Sequence, residues 1–525
     1  MKAGRSRAWA SALAWCCALV LATCASPQQQ QKPTGTSPAA YAVGVQRASE
    51  PYVIDAATPD VVPTFVKPSP LTSLSISPYA ALKARIDSLI PDDLFPPGHI
   101  GVKIVSLTRN ELLYELNARA LFNPGSGQKL ITAATALTRL GGAFPLKTVV
   151  YVNPFTSTLY IKGFGDPLFR TRDADSLARR VRLMISPEQP WRVVGDASYF
   201  DDEYWGYGWN WNDEPEAYQM FITSLILNGN AITLFAKPGR RVGDPLIVRT
   251  EPVTTFVTIE NNGKTTARGI TVRLKLSRKW RERSNVLTVE GEMMRRQRED
   301  STQLSLWQPE RYATHVFAEC LQKYGVNVAE TALDTVPPGA VEVMHISHSI
   351  DSVIVHLNKE SDNLSGEALL KVLAAEIKGK PGRARAGATV VKEYLAGLGI
   401  DTVWLRVADG SGLSRHNLIS PEILVRVLQD MYSSPHFESF YNSLPVAGTD
   451  GTIRRRMRYT PAHGIVRAKT GTLSGVSSLS GYTHTLDGEW IAFSIMTMNY
   501  PAEARVYRRV QDEIAVFLSN LSIRR

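Results

Sequence analysis

Cysteine is almost missing from this 525-residue chain: three of the four stand at positions 16, 17 and 24, leaving Cys320 alone in the body. No disulfide can therefore form within the folded part, and a lone Cys320 reads as a small buried hydrophobe rather than a reactive thiol. Clustered metal ligands are also missing. His345 and His348 have a ligand-like spacing but no third partner in view, so no metal and no cofactor are expected. The opening apolar stretch, positions 8–22, falls short of a membrane span and follows Lys2, Arg5 and Arg7, which is the pattern of an export signal over 1–24. No exact internal repeat is present. What the chain does have is 44% apolar residues, enough for real cores, and a length that predicts about three domains.

The most informative residues lie in three short motifs, Ser126-Gly127-Gln128-Lys129, Ser361-Asp362-Asn363 and Lys469-Thr470-Gly471, in that order. A serine hydroxyl is a weak nucleophile and needs a base within hydrogen-bond reach. Residues three apart on a helix share a face, which brings the Lys129 amine to the Ser126 hydroxyl. A lysine near its usual pKa of about 10.4 is charged and useless as a base, but burial and neighbouring positive charge, here Lys469, favour the neutral amine. Asn123-Pro124 reads as an N-cap and first helical position, so Ser126 falls in the first turn with its backbone N–H free for half of an oxyanion hole. The following residues, Leu130, Ile131, Ala133, Ala134, Ala136 and Leu137, are apolar on most faces and predict a buried helix ending at Gly141-Gly142.

Each motif alone has a plainer reading. Ser126 as a helix cap with a snorkelling Lys129 accounts for the first, and an ordinary N-cap accounts for the second. Ser361-Asp362-Asn363 precedes Leu364, Glu367, Leu369 and Leu370 and predicts a loop entering a helix. Lys469-Thr470-Gly471-Thr472 predicts a strand, followed by strands around 476–482 and 490–496 that turn at Asp487-Gly488. A glycine at 471 would let another backbone, such as a substrate peptide, approach closely.

Taken together, the three motifs are the set shared by β-lactamases and penicillin-binding proteins, and they imply acyl transfer through a serine ester. The surrounding segments resemble the D-alanyl-D-alanine carboxypeptidase/endopeptidase family of low-molecular-mass, class C penicillin-binding proteins. The similarity is carried by 123–133, by Asp409-Gly410-Ser411-Gly412-Leu413-Ser414-Arg415, and by 445–482 as the most specific stretch. Gly163-Phe164-Gly165-Asp166-Pro167, Gly195-Asp196 and the aromatic run 205–211 add to it, so the resemblance covers roughly 80–515. It implies a serine D,D-peptidase that cleaves D-Ala-containing peptidoglycan stem peptides and is acylated by β-lactams. It implies Ser126 as nucleophile, Lys129 as base, Ser361 as proton relay and Asn363 as an anchor for the substrate backbone. Lys469 would supply positive potential, Thr470 and Thr472 would bind the terminal carboxylate beside Gly471, and the N–H groups of Ser126 and Thr472 would form the oxyanion hole. Carboxypeptidase and endopeptidase action both stay open. So do a β-lactamase-like hydrolase, which the long insert argues against, and a non-catalytic wall-binding scaffold, which the intact motifs argue against although Gly127 replaces a bulkier residue.

The fold expected is α+β: a penicillin-binding/β-lactamase-like transpeptidase domain, its antiparallel sheet flanked by helices, with a large, mostly β insert. Catalytic parts are expected at 79–145 and 346–525, around an insert at 146–345 with strands near 149–151, 159–161, 231–235, 254–259 and 272–276. An amphipathic helix at 79–90, a hairpin of 100–105 with 111–116, and a closing helix from 502 to about 518 complete the catalytic domain. Leu21-Ala22-Thr23-Cys24 resembles a lipobox, with Cys24 the lipidated residue and 25–78 a disordered tether, rich in Gln, Pro, Ser and Thr up to about 75, to a membrane; a soluble periplasmic product is the alternative. The net charge is +10, and the basic clusters at 278–283, 295–298 and 454–458 read as solvated surface, with attraction to polyanionic envelope polymers the weaker idea. An exported chain is not expected to meet nucleic acid. The cluster of Trp205, Trp209 and Trp211 reads as core rather than as a glycan platform.

Overall fold

Alternation along one strand shows how the catalytic sheet is built. In Trp490–Met498, Ile491, Phe493 and Ile495 enter one apolar core, while Ala492 and Met496 enter another on the opposite face. The structure, a computed structural model, describes residues 52–55 and 79–524 apart from 92–94, 96–97, 268 and 502. Its first sheet is antiparallel throughout, in the order Arg467–Leu473, Val476–His484, Trp490–Met498, His99–Ser106, Glu111–Leu116. The expected hairpin is present and turns where Asn110 takes a φ of 56° and the Arg109 N–H donates to Ser106 Oγ.

Helix Ala504–Ser519 and helix Ala80–Ser88 supply Val510, Ile514, Leu82 and Ile86 to the core on one face. The other face is covered by a helical layer that includes Gln128–Leu140, Asn363–Ile377 and Pro421–Ser433. Leu130, Ile131 and Leu137 of the first of these are fully buried. At about 1.5–3 kcal/mol each, they contribute on the order of 5–9 kcal/mol as an upper figure, enough to fix the turn that precedes them.

A second five-stranded sheet is mixed, in the order Val328–Leu333, Trp191–Asp196, Thr158–Gly163, Pro145–Asn153, Val341–Ser349. Its parallel pair of Thr158–Gly163 with Trp191–Asp196 needs a crossover, and helix Thr171–Val181 provides it. This helix and Pro309–Lys323 share a core with two three-stranded sheets, Asp300–Ser305/Ala231–Lys237/Ile247–Glu251 and Lys275–Arg278/Val286–Glu290/Thr258–Asn261.

Several expectations are corrected. The strand expected at 254–259 begins only at Thr258, because the Thr255 N–H and hydroxyl donate to Glu319 of the helix Pro309–Lys323 instead of to a ladder. Residues 52–55, inside the stretch read as a tether, form a strand parallel to Leu521–Arg524. Arg278 is not solvated surface: it is buried and donates to Glu214 and to the Ser284 carbonyl. His345 and His348, three apart on a strand, point to opposite faces and pair with Glu342 and Asp166 respectively. The tryptophans are not one core cluster. Trp209 is half-buried and donates to Asp409 Oδ2 at 2.9 Å, whereas Trp211 is 65% exposed and lies against Trp280. Cys320 is buried as read, and burial pushes its thiol up to about 11. The signal, Cys24 and the lipobox lie outside the described residues. Among the described residues no helix is long and apolar enough to cross a membrane.

Candidate active site

Asn123 begins the site. Its side-chain oxygen accepts the Gly125 N–H at 2.9 Å, and a 3₁₀ turn, Gly125–Gly127, carries Ser126 before the α-helix starts at Gln128. Asn123 thus braces the entry to the turn, whose cap position is Pro124 rather than Asn123, and the α-helix starts later than the sequence suggested, with Gly127 at its cap. Gly125 has a φ of 50°, and a Cβ there would lie 2.9 Å from the Thr472 nitrogen. The serine turn is therefore pressed against the edge strand Arg467–Leu473. Gly471 serves the same approach from the other side: a Cβ would sit 2.1 Å from the Pro124 carbonyl and 2.3 Å from Ser478 Oγ. The neighbour that requires a glycine at 471 is the nucleophile turn of this chain, not an incoming peptide.

Lys129 is wholly buried and does not snorkel. Its Nζ lies 3.0 Å from Ser126 Oγ, 2.6 Å from Asn363 Oδ1 and 2.5 Å from the Ser411 carbonyl. Burial lowers its pKa to about 8, against the opposing pull of Asp409, Asp362 and Glu367. Ser361 precedes helix Asn363–Ile377, whose N-cap is Asp362, and takes a left-handed φ of 59° that a non-glycine residue adopts at a cost. That backbone aims its hydroxyl at Lys469, whose Nζ donates to Ser361 Oγ at 2.8 Å and to the Thr470 carbonyl at 2.9 Å. Lys469 is also fully buried, and burial first, then the Lys129 charge, push it well below the ordinary lysine value.

Ser126 and Ser361 face one cavity of about 260 Å³, lined also by Thr452, Arg456, Thr470, Thr472 and Arg508. Asn363 sits behind it, with its amide donating to the Tyr218 carbonyl at 2.8 Å. Three of the lining residues escaped the sequence reading. Arg508 donates to Thr472 Oγ1 at 3.2 Å, Thr452 accepts from Thr470 Oγ1 at 2.9 Å, and Arg456 is held by Asp512 at 2.8 Å. Arg456 had been counted with the solvated basic clusters. Two cavity-lining serines, each backed by a buried lysine and facing a lining that includes two arginines, define a site for serine acyl transfer on an anionic acyl donor.

That class narrows on comparison with known proteins. Residues 82–521 match the D-Ala-D-Ala carboxypeptidase 3 (S13) family, and the chain belongs to it. It is 33% identical to the D-alanyl-D-alanine carboxypeptidase of Actinomadura sp. (strain R39), over 86% of this chain and 88% of that protein. Its fold is that of penicillin binding protein 4 (dacB) from Haemophilus influenzae, with a TM-score of 0.70 at 21% identity, covering 82% of this chain and 98% of that one. The same Haemophilus protein complexed with a β-lactam superposes with a TM-score of 0.66 at 21% identity, covering 83% of this chain and 98% of that one.

Proposed function

We propose that this chain is a serine D,D-carboxypeptidase acting on the D-Ala-D-Ala end of peptidoglycan stem peptides, with Ser126 as nucleophile. The observation that carries this reading is the 3.0 Å contact between Ser126 Oγ and a buried Lys129 amine, with Ser126 lining a cavity that is also lined by Ser361, the partner of Lys469. Neutral Lys129 takes the Ser126 proton as Oγ attacks the carbonyl of the penultimate D-Ala, and the N–H groups of Ser126 and Thr472 meet the charge that develops on its oxygen. The C–N bond then breaks, and Ser361 relays a proton to the leaving D-Ala amine. Water hydrolyses the remaining ester.

The terminal carboxylate is held by Thr470, Thr472 and the Arg508 guanidinium, while Asn363 anchors the substrate backbone. A carboxylate arriving beside Lys469 favours the ammonium there, and a charged Lys469 disfavours a second charge on Lys129. Substrate binding therefore moves both lysines toward the roles the reaction needs. Gly471 belongs to this binding strand by keeping the nucleophile turn close. β-Lactams acylate Ser126 by the same attack, a reading supported by the β-lactam complex of the Haemophilus relative.

The catalytic parts, 79–145 and 346–525, enclose an insert at 146–345, a division supported by the separate core built between Val150 and Val326. The enzyme works in the bacterial envelope after export, with Cys24 as a lipid anchor. Mapping a labelled penicillin onto the protein by peptide mass spectrometry, alongside release of D-Ala from a stem peptide, tests the reading. A lasting ester at Ser126 with D-Ala release is expected. An ester that turns over within seconds would favour a β-lactamase-like hydrolase, and no label on folded protein would favour a scaffold.

A further inference from the structure

One turn beyond Asn363, the same helix carries Glu367, which is wholly buried. Its Oε1 accepts the N–H groups of Ser411 at 2.8 Å and Gly410 at 3.1 Å, and Oε2 lies 3.3 Å from the Gly410 nitrogen. Two successive backbone amides converging on one carboxylate form an anion nest built by the Asp409-Gly410-Ser411 segment. The carbonyl that follows these amides is the Ser411 oxygen, the same one that accepts Lys129 Nζ at 2.5 Å. The Gly410 carbonyl is also taken, by Thr132 Oγ1 at 2.7 Å from the helix of Lys129. Asp409 pins the other half of the loop by accepting from Gly412, Ser414, Asn417 and Trp209.

We propose that Glu367 is a positioning residue for the general base: through the Gly410 and Ser411 amides it fixes the carbonyl that aims Lys129 at Ser126. This rests on Lys129 being that base. The geometry fits the task, because the neutral Lys129 amine has two N–H groups and one lone pair: Asn363 Oδ1 and the Ser411 carbonyl take the two N–H groups at fixed points and leave the lone pair directed at Ser126 Oγ. Glu367 also acts through its charge. Burial first, and then Asp409, push its carboxyl above the ordinary glutamate value, while the hydrogen bonds from Ser411 and Gly410 favour its ionised form. With Asp409 and Asp362 it favours the Lys129 ammonium, while Lys469 on the edge strand is itself held low by burial and by the Lys129 charge. Removing the charge while keeping the acceptor should therefore make the neutral amine available at lower pH.

The test is the rate of acylation by a fluorescent penicillin, measured from about pH 6 to pH 10 on the full-length enzyme and on Glu367→Gln and Glu367→Ala, with melting curves to show that each is folded. Glu367→Gln keeps an oxygen for the two amides. It should stay within about tenfold of the parent at its optimum, with the rising limb of the profile displaced to lower pH by about half a unit or more. Glu367→Ala leaves two buried N–H groups unpaired and should lose about a hundredfold at every pH. A Glu367→Gln profile that superimposes on that of the parent, or a loss equal to that of the alanine variant, overturns the proposal even if the alanine variant does not fold. A parent enzyme that forms no ester refutes the proposed function itself, and with it this inference.

Discussion

Arg508 offers the sharpest test of how the substrate is recognised. Its guanidinium donates to Thr472 Oγ1 at 3.2 Å and lines the same cavity as Ser126 and Ser361, where a terminal carboxylate of the substrate would lie. Hydrogen bonds to a charged group are worth about 1.5–3 kcal/mol, and Arg508 is only half-buried, so solvent reduces its share to about 1.5–2 kcal/mol. Arg508→Ala should then lower kcat/KM by about 10–30-fold on a peptide ending in D-Ala-D-Ala. Against the same peptide with its terminal carboxylate converted to an amide, the variant should lose no more than about twofold, because the charge that the arginine reads is gone. The assay is D-Ala release from the acid, and D-alaninamide release from the amide, by the parent and the variant. Equal losses on both peptides would refute the assignment and leave Arg508 as a support for the edge strand. Restoration of part of the acid activity by Arg508→Lys would agree with it.

Lys129→Arg cannot supply a neutral base and should lower penicillin acylation by about 10²–10⁴-fold, with Lys469→Arg milder; equal losses would mean that the two roles are wrongly divided. With Lys129 lowered to about 8, its base form gains as pH rises through that value, so acylation by the parent should climb between about pH 7 and pH 9, and a flat stopped-flow profile would contradict this. Gly471→Ala forces a Cβ into the Pro124 carbonyl and Ser478 Oγ, and should cost about 1–3 kcal/mol in thermal unfolding together with most of the acylation rate. Retention of both would show that the nucleophile turn has slack.

What could be read from the sequence followed from how locally each feature is encoded. Ser126 and Lys129 face each other because a helix repeats every few residues, and that is visible within one motif. The Asp362 cap and the strands flanking Lys469 are equally local, and all were legible. Arg508 was not, because its partner Thr472 lies on another element and one arginine in a helix of mixed charge carries no sign of direction. Gly471 was legible as a close approach but not as an approach by Pro124, since contact across elements leaves no trace in spacing. The helix Thr171–Val181 was readable and went unread: Ala174, Leu177, Ala178 and Val181 fall on one face, and Asp173 accepts the Arg170 N–H as in a capping box. In the 254–259 stretch the β-branched residues pointed to a strand, but a hydrogen bond to Glu319, invisible in sequence, took the backbone away.

The pairing of His99–Ser106 with Trp490–Met498 bears on the order in which the enzyme is made. Synthesis runs from the N-terminus, so the Ser126 turn emerges early while the strand that presses on it, with Lys469 and Thr472, emerges hundreds of residues later. Until Trp490–Met498 arrives, the His99–Ser106 strand has an unpaired edge and neither face of the sheet can close. A nascent chain therefore carries its nucleophile without its second lysine, its oxyanion strand or Arg508. It has no completed site to be acylated until nearly all of the body has been translated.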